Sequence, residues 1–368
     1  MFKKVLYSLL FILAFILAST PLKAQVGITS VPFLQIEPDS RGAGMGNTGV
    51  AIADNASAVY WNAAGLAYQK GNQISITHAE WLPAFNADLF YDYLVGKYYV
   101  EGIGTIGAHI TYLNLGEQIR TNEQGLEQGR FNSSEFAGGI SYGGKLNENF
   151  AIGGGLRFIY SSLAEGQVGQ QTINPGSSIA VDLSALYRSQ TFTFLKNNAE
   201  FSAGFNLSNV GPGIQYTDNA QKDPLPTVLR MGWAFEWELD PEGINTITIA
   251  NDISKIMARG DSTGSTGPVE ALFSSWDSYR YNNGTENVEL SLLDQFMVGT
   301  GLEYWYNDLF AIRGGYYYEH PENGDRVFFT IGAGLRYSII GVDFSYIAAL
   351  EEEHPLANTT RFSVLINF

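Results

Sequence analysis

The amino-acid sequence predicts an all-β fold, namely a 14-stranded antiparallel transmembrane β-barrel, to which a resemblance described below adds an N-terminal hatch segment in the lumen. Three observations support this prediction. The chain begins with the features of an export signal, fourteen segments alternate apolar and polar residues, and the connections between these segments alternate in length. A transmembrane barrel shows the last two features because its strands face lipid on one side and a polar interior on the other.

The first 24 residues have the features of a secretory signal peptide. Lys3 and Lys4 precede an apolar run from Val5 to Ala18, and cleavage is expected after Ala24. An uncleaved anchor helix is the alternative, but the run is shorter than the ~20 residues that cross a bilayer. Export also disfavours a cytosolic NAD enzyme. The predicted organisation is a signal peptide, a segment that we call the hatch segment, and a barrel, at residues 1–24, 25–70 and 71–368.

The composition excludes cysteine chemistry and disfavours nucleic acid as a partner. The chain has no cysteine among its 368 residues, so disulfides and thiolate sites are excluded. Its 21 basic and 37 acidic residues give a net charge of −16. The signal holds three lysines and no acidic residue, so the exported chain would carry 18 − 37 = −19. Such an acidic protein is a poor match for a phosphate backbone. A soluble exported protein remains compatible with these numbers.

Alternation along the chain favours the barrel over a soluble protein. In "TVLRMGWAFEWELD", which starts at Thr227, Met231 and Trp233 share one face, whereas Arg230 and Glu236 share the other. A period of two indicates a strand. Most of the predicted strands reach the ~9–11 residues that a tilted transmembrane strand needs. The fourteen segments are 72–79, 87–100, 103–115, 132–144, 150–163, 177–188, 199–209, 227–239, 245–253, 294–306, 309–319, 327–338, 341–350 and 361–368.

The connections and the aromatic residues agree with a membrane barrel. If the first strand rises from the periplasm, the inner connections are mostly short, as at 101–102 and 307–308. The outer connections include the long stretches 116–131 and 254–293, and long outer loops are typical of such barrels. Aromatic residues gather near strand ends, which suits two interfacial girdles, although β-propensity in a soluble sandwich is the alternative. These residues are Tyr98, Tyr99, Tyr304 to Tyr306 and Tyr316 to Tyr318.

Charged side chains occupy the face of the strands that is opposite the apolar face. Because an Arg or Lys that faces lipid costs ~2–4 kcal/mol at the bilayer midplane, these side chains are predicted to face the lumen. They would either pair across the lumen and hold the hatch segment, which is the favoured interpretation, or line a polar pathway or ligand cavity. The predicted lumen-facing charges are His109, Arg157, Asp182, Arg188, Arg230, Glu236, Glu303, Arg313, Arg336 and Asp343.

A glycine-rich stretch precedes the first strand. Gly44 to Gly49 matches the G-x-G-x-x-G pattern of a dinucleotide-binding turn, but that pattern requires a strand before it and a helix after it. The preceding "FLQIEPDS" is interrupted by Pro38, so the phosphate-binding interpretation fails. A run of small residues can instead pack its backbone closely in a confined space.

This stretch resembles the N-terminal hatch of FadL-type outer-membrane barrels, which have fourteen strands and a plugged lumen. The resemblance lies in "GAGMGNTGVAIADNASAVYWNAAGLA", with Ala63 where that family commonly has proline. The C-terminal alternation of Phe362, Val364, Ile366 and Phe368 resembles the strand signal that the outer-membrane assembly machinery reads. The predicted hatch residues are Arg41, Gly42, Gly44, Met45, Gly46, Gly49, Trp61, Asn62 and Gly65.

Within this superfamily, the chain is more similar to the PorV family of the type IX secretion system. The similar stretches are "FLQIEPDSRGAGMG" at 33–46, "YLNLGEQIRTNEQG" at 112–125 and the residues 131–163, although a PorQ-like sister would share much of this. The resemblance implies an outer-membrane protein that binds the C-terminal signal domains of secreted cargo. It would carry them from the translocon barrel to the surface sortase complex. The outer loops 116–131, 210–226 and 254–293 would form the recognition surface.

The alternative function is a FadL-like channel for the uptake of fatty acids or other hydrophobic compounds. An enzyme is not predicted, because the sequence has neither a G-x-S-x-G elbow nor a nucleophile and base in a recognisable pattern. The four histidines, His78, His109, His320 and His354, have no metal-ligand spacing. The acidic "EEEH" at 351–354 is interpreted as a solvated charge run, so neither a metal nor another cofactor is predicted.

Overall fold

Fourteen strands close into one antiparallel barrel, which confirms the predicted fold class. The structure is a computed structural model that describes residues 29–85, 88–122, 124–164, 166–168, 171–217, 222–261, 264–282, 287–350 and 354–368. The predicted signal peptide lies outside these residues. The strands are β1 Gln73–Glu80, β2 Phe90–Val100, β3 Gly104–Thr121, β4 Glu127–Lys145, β5 Phe150–Ser162, β6 Gly176–Arg188, β7 Asn197–Val210, β8 Val228–Glu238, β9 Asn245–Ile256, β10 Phe296–Tyr306, β11 Phe310–Glu319, β12 Val327–Tyr337, β13 Ile340–Ala349 and β14 Thr360–Asn367.

Each strand pairs with its neighbours in the sequence, and the last strand closes the ring on the first. Gln73 of β1 lies opposite Asn367 of β14, and Ala79 lies opposite Arg361. The closed ring leaves the sheet without an exposed edge, so the backbone groups of the spanning strands are hydrogen-bonded within the protein.

The two faces of the wall differ as the alternation predicts. On β5, Leu156 is 53% exposed, whereas its neighbour Arg157 is 3% exposed. The outward-facing residues of β5 run from Phe150 through Ile152, Leu156 and Phe158 to Tyr160. An apolar outer face of this length with aromatic residues at both ends fits the hydrocarbon layer and its interfaces.

Within each aromatic cluster, neighbouring residues face opposite sides of the wall, so only some of them are on the outer face. Tyr318 is exposed, whereas Tyr317 is buried in the lumen and stacks on Phe328 at a centroid distance of 5.0 Å. The girdle interpretation therefore applies to every second aromatic residue of each cluster.

The connections differ in length between the two ends of the barrel. At one end, which we call the turn end, the connections are short, namely 101–103, 146–149, 189–196, 239–244, 307–309 and 338–339. At the other end, which we call the loop end, they include the long stretches 163–175, 211–227 and 257–295.

The hatch segment, described from residue 29, lies in the lumen ahead of β1. It contains two short α-helices, α1 Ser40–Gly44 and α2 Ala58–Trp61, with the 3-10 turns Pro32–Gln35 and Ala63–Tyr68 on either side of them. Almost all of its side chains from Pro32 to Leu66 are buried or half-buried. Along the described ranges, no helix has both the length and the apolar character to cross a membrane.

The predicted outer loop at 116–131 is wrong in one respect. Strands β3 and β4 continue through most of it as a hairpin that projects from the loop end, and only 122–126 connects them. Beyond the bilayer both faces of the hairpin meet water, so the polar residues no longer alternate with apolar ones. Arg130 joins Glu117 and Glu127 at 2.7 and 2.8 Å on its exposed surface.

The long connection between β9 and β10 has structure of its own. It carries the helix α3 Pro268–Ser274, the strand pair Tyr279–Asn282 with Asn287–Leu290, and the shorter pair Gly260–Asp261 with Gly264–Ser265. At the turn end, Phe192–Phe194 pairs with the start of β7, and the Phe194 ring meets the Trp237 ring edge-on at 5.5 Å.

Candidate functional site in the barrel lumen

The glycines of the hatch segment make room for the indole of Trp61. A Cβ atom on Gly42 would lie 2.5 Å from the Trp61 ring, and one on Gly49 would lie 2.2 Å from it. The indole N–H donates to Asp39 at 2.6 Å, and Asp39 also caps α1 by accepting from the Gly42 amide at 3.2 Å. Burial raises the pKa of the Asp39 carboxyl despite these two hydrogen bonds. The spacing of the glycines therefore reflects the packing of one aromatic ring.

The amides of the glycine stretch are bonded to the protein itself. Gly49 and Val50 donate their N–H groups to one carboxylate oxygen of Asp252 on β9, at 2.8 and 3.0 Å. In a phosphate-binding turn, such amides would face the ligand. The carboxylate of Asp252 takes that place here, which agrees with the rejection of the dinucleotide interpretation.

Close backbone contact explains the middle of the motif. Gly46 has φ of +65°, and a Cβ there would lie 2.5 Å from the Thr300 carbonyl oxygen of β10. Its amide donates to Thr330 Oγ1 at 2.9 Å. Gly44 approaches Gly332 of β12, and Met45 is fully buried. A residue larger than glycine at position 44 or 46 would push the hatch segment away from the wall.

Asn62 connects the hatch segment to itself and to the barrel. Its Nδ2 donates to the carbonyl oxygens of Val50 and Ala185, at 2.9 and 3.0 Å, and its Oδ1 accepts from the Ala64 amide at 3.1 Å. Next to it, Gly65 packs against the Ala53 backbone. The alanine at position 63 begins the 3-10 turn that follows.

Sequence reasoning missed the wall glycines that receive this turn. Gly107, Gly143 and Gly153, on β3, β4 and β5, face inward, and a Cβ on any of them would lie within 2.4 Å of Val59, Ala63 or Ala64. In the sequence, each of these glycines occupies an inward-facing position of its strand. Other strands carry polar side chains at such positions.

Four of the predicted lumen-facing charges form a largely buried network with the hatch segment. Arg41 donates to Glu303 through two nitrogens, at 2.9 and 2.7 Å. Glu303 also accepts from Arg313 at 2.6 Å, and Arg313 reaches Asp343 at 2.8 Å. Arg336 donates to the second oxygen of Asp343 at 2.6 Å. The network spans β10 to β13, and in the hatch segment it includes Arg41, which also pairs with Asp54.

The other predicted charges lie apart from this network. Arg157 pairs with Asp182 at 2.7 Å, between β5 and β6. Two arginines lie against aromatic rings of the hatch segment, Arg230 over Trp61 at 5.0 Å and Arg188 over Tyr68 at 5.0 Å. His109 is buried beside Tyr93, and Glu236 is exposed on β8.

The predicted assembly residues occupy the outer face of the closing strand. The side chains of Phe362, Val364, Ile366 and Phe368 are all exposed on the wall. Arg361, just before Phe362, and Ser363 point into the lumen, where the Ser363 hydroxyl donates to Ser40 of the hatch segment at 2.9 Å.

A cavity of about 640 Å³ lies between the hatch segment and the loop-end connections. Its wall is mostly apolar but includes the buried cations Lys255 and Arg361. In the described part of the chain, no three His, Asp or Glu side chains group as metal ligands. Residues 351–353 of the acidic run lie outside that part.

The comparisons with known proteins agree on this architecture. Solved structures with a similar fold include the toluene transporter TbuX of Ralstonia pickettii, at 13% identity and a TM-score of 0.50, covering 92% of this chain and 100% of that one. The Pseudomonas putida toluene transporter TodX has 11% identity and a TM-score of 0.50, with coverage of 89% and 97%. At these identities the likeness shows the fold alone. The chain matches no curated protein.

The sequence itself identifies the family. Residues 20–262, which are 243 of the 368 residues, match the family described as type IX secretion system protein PorV. The barrel is the expected form of an outer-membrane member of that system. This outer-membrane β-barrel protein therefore belongs to the PorV family of the type IX secretion system.

Proposed function

We propose that this protein carries secreted cargo within the type IX system. It binds the C-terminal signal domains of the cargo at its loop end, which faces the cell exterior. It then moves them from the translocon barrel to the surface sortase complex without any chemistry of its own. Family membership supports the role in secretion, and the observation that carries the finer proposal is an apolar surface on the longest loop-end connection.

This surface, which we call the apolar loop patch, consists of large side chains that face solvent. Val269 and Phe273, four residues apart on α3 and so on one face of it, are 62% and 79% exposed, and Trp276 just after the helix is 40% exposed. Exposed apolar groups in a region that extends beyond the bilayer mark a site for protein contact. Aromatic residues also supply a large share of binding energy at protein interfaces.

Substitution within the patch tests this proposal. The double variant Val269→Ser and Phe273→Ser should lose the translocon barrel, the cargo signal domains or both from the proteins that co-purify from native outer membrane. Phe85→Ser is the matched control, because Phe85 is similarly exposed on another loop-end connection. Mass spectrometry gives the recovery, and unchanged recovery of both partners would refute the assignment of the patch.

The proposed arrangement of the chain supports this role. The hatch segment, 25–70, closes the lumen, because its described residues bond to strands around the ring, including β6, β9, β10 and β14. The signal peptide, 1–24, is removed on export. The N-terminal peptide of the protein from outer membrane, identified by mass spectrometry, should begin at Gln25, and a peptide that begins at another residue would contradict the proposed cleavage.

Uptake of fatty acids or other hydrophobic compounds is the alternative, and the apolar cavity is the observation that favours it. A channel would also require the hatch segment to move, against the hydrogen bonds described above. Fatty-acid or hydrocarbon uptake into cells that express this barrel without the rest of the secretion system decides the matter. Uptake at the level of cells without the barrel is the result that we expect.

A further inference from the structure

The cavity above the hatch segment combines an apolar wall with unmet hydrogen-bonding groups. The hatch segment forms its floor, and the ends of the strands with their loop-end connections form its sides and roof. Apolar side chains from the hatch segment, the strands and the loop-end connections line it, among them Phe33, Ile36, Trp81, Leu113, Phe328 and Ile347. Such a wall favours an apolar ligand, and a few polar groups in it would determine which one.

Arg361 is the polar group with the largest unmet demand. Its side chain is 1% exposed, yet none of its three guanidinium nitrogens donates a hydrogen bond to any described residue. The nearest carboxylate oxygen, on Glu37, is 3.9 Å from Nη2, and the guanidinium lies over the Trp81 ring at 5.9 Å. Because a buried cation without acceptors is costly, this arrangement calls for an anionic acceptor. A carboxylate matches the two parallel donors of a guanidinium.

A second group in the wall has the opposite demand. The buried amide oxygen of Asn47 accepts no hydrogen bond from the described residues. Two other polar groups of the wall are already bonded, since Lys255 donates to Gln295 at 2.5 Å and Glu135 accepts from Ser161 at 2.8 Å. The missing partners are therefore an acceptor for Arg361 and a donor for Asn47. A fatty acid supplies only acceptors, whereas the end of a peptide supplies a carboxylate and backbone N–H groups.

We infer that this cavity binds the carboxyl-terminal end of an extended peptide, with the free α-carboxylate on Arg361 and apolar side chains against the wall. The inference rests on the proposed function, which makes secreted cargo the source of the peptide. The apolar loop patch would hold the folded part of the signal domain, and the cavity would read the last residues.

A binding competition tests this inference on the full-length protein in detergent. The protein is mixed with an equimolar pool of apolar hexapeptides of randomised sequence, each present as the free acid and as the C-terminal amide. Bound peptides are recovered by gel filtration and counted by mass spectrometry. We expect the free acids to be enriched about tenfold over the amides, because the amide loses a charge-assisted hydrogen bond.

Variants and a competitor complete the test. Arg361→Gln should bring the acid-to-amide ratio to about one, whereas Arg130→Gln, on the exposed hairpin, should leave it unchanged. The measurement on the wild-type protein stands alone if the Arg361 variant fails to fold. Equal recovery of acids and amides, no recovery of either, or displacement of the peptides by an equal concentration of laurate would each overturn the inference. If cargo still co-purifies after any of these results, the proposed function survives.

Discussion

The hatch segment meets the barrel wall through two different kinds of contact. Towards β10–β13, it is bound by charge, because Arg41 joins the network of Glu303, Arg313 and Asp343. Towards β2–β5, it is bound by shape, because Val59 and Leu66 belong to an apolar cluster that includes Tyr93. The charged side is specific but costly to disturb, since a buried charge that loses its partner is not compensated by water. The apolar side contributes in proportion to the volume that it fills.

The largest expected effect comes from the centre of the charged side. Arg313→Met leaves the buried carboxylates of Glu303 and Asp343 with fewer partners and should lower the free energy of unfolding by about 4 kcal/mol. Urea unfolding of the barrel in detergent measures the loss. The double variant that adds Asp343→Asn leaves Glu303 paired with Arg41 and should regain part of the loss. A double variant no more stable than Arg313→Met would contradict the ionic explanation.

On the apolar side, Leu66→Ala should lower the free energy of unfolding by about 3 kcal/mol, because it leaves a cavity next to Gly107 and Val59. The same unfolding measurement applies. Leu156→Ala is the control, since Leu156 is exposed on the outer wall, where lipid or detergent fills the space. An equal loss in both variants would show that the apolar contact of the hatch segment adds no stability.

The packing of Trp61 lies within the hatch segment and involves neither the charged nor the apolar side of the wall. Disturbing it should have a smaller effect. Gly49→Ala places a methyl group within 2.2 Å of the indole, so the ring must move at a cost of about 2 kcal/mol. Limited proteolysis should then cleave the hatch segment faster than in the wild type. In Gly96→Ala the nearest atom to the new methyl is 3.6 Å away, and its cleavage rate should match that of the wild type. Unaltered cleavage of Gly49→Ala would show that the packing tolerates the methyl group.

The smallest effect is expected for charges in water. Arg130→Gln removes two exposed ion pairs from the β3–β4 hairpin and should change the free energy of unfolding by less than about 1 kcal/mol. If Arg130→Gln lowered the free energy of unfolding as much as Arg313→Met, burial would not explain the difference between exposed and buried ion pairs.

The wall could be predicted from the sequence because each strand records two different surroundings. Leu156 and Arg157 are neighbours with opposite exposure, and that contrast appears in the sequence as a period of two. The hairpin at 116–131 was missed because both of its faces meet water. The same reasoning placed the charges on the inner phase, but it could not pair Arg41 with Glu303, which are 262 residues apart.

The cavity shows where such reasoning stops. Arg361 directly precedes the outward-facing residues that were interpreted as an assembly signal, so its own inward-facing position received no attention. Asp252 was also overlooked, although it shares the inward phase of β9 with Ala250 and Ser254. Which inward residue meets which part of an irregular segment depends on the three-dimensional path of that segment, and no periodicity describes it.

The pairing of β1 with β14 has a consequence for the order in which the molecule can be built. Gln73 and Asn367 join partners 294 residues apart, so this seam forms only after the whole chain has been delivered to the membrane. Ser40 already touches Ser363 on the inner side of the seam. The hatch segment must therefore be in position when β1 and β14 pair, because a closed ring of this width leaves little room for the segment to enter afterwards. Assembly factors that delay the pairing of β1 with β14 would then also give the hatch segment time to enter the lumen.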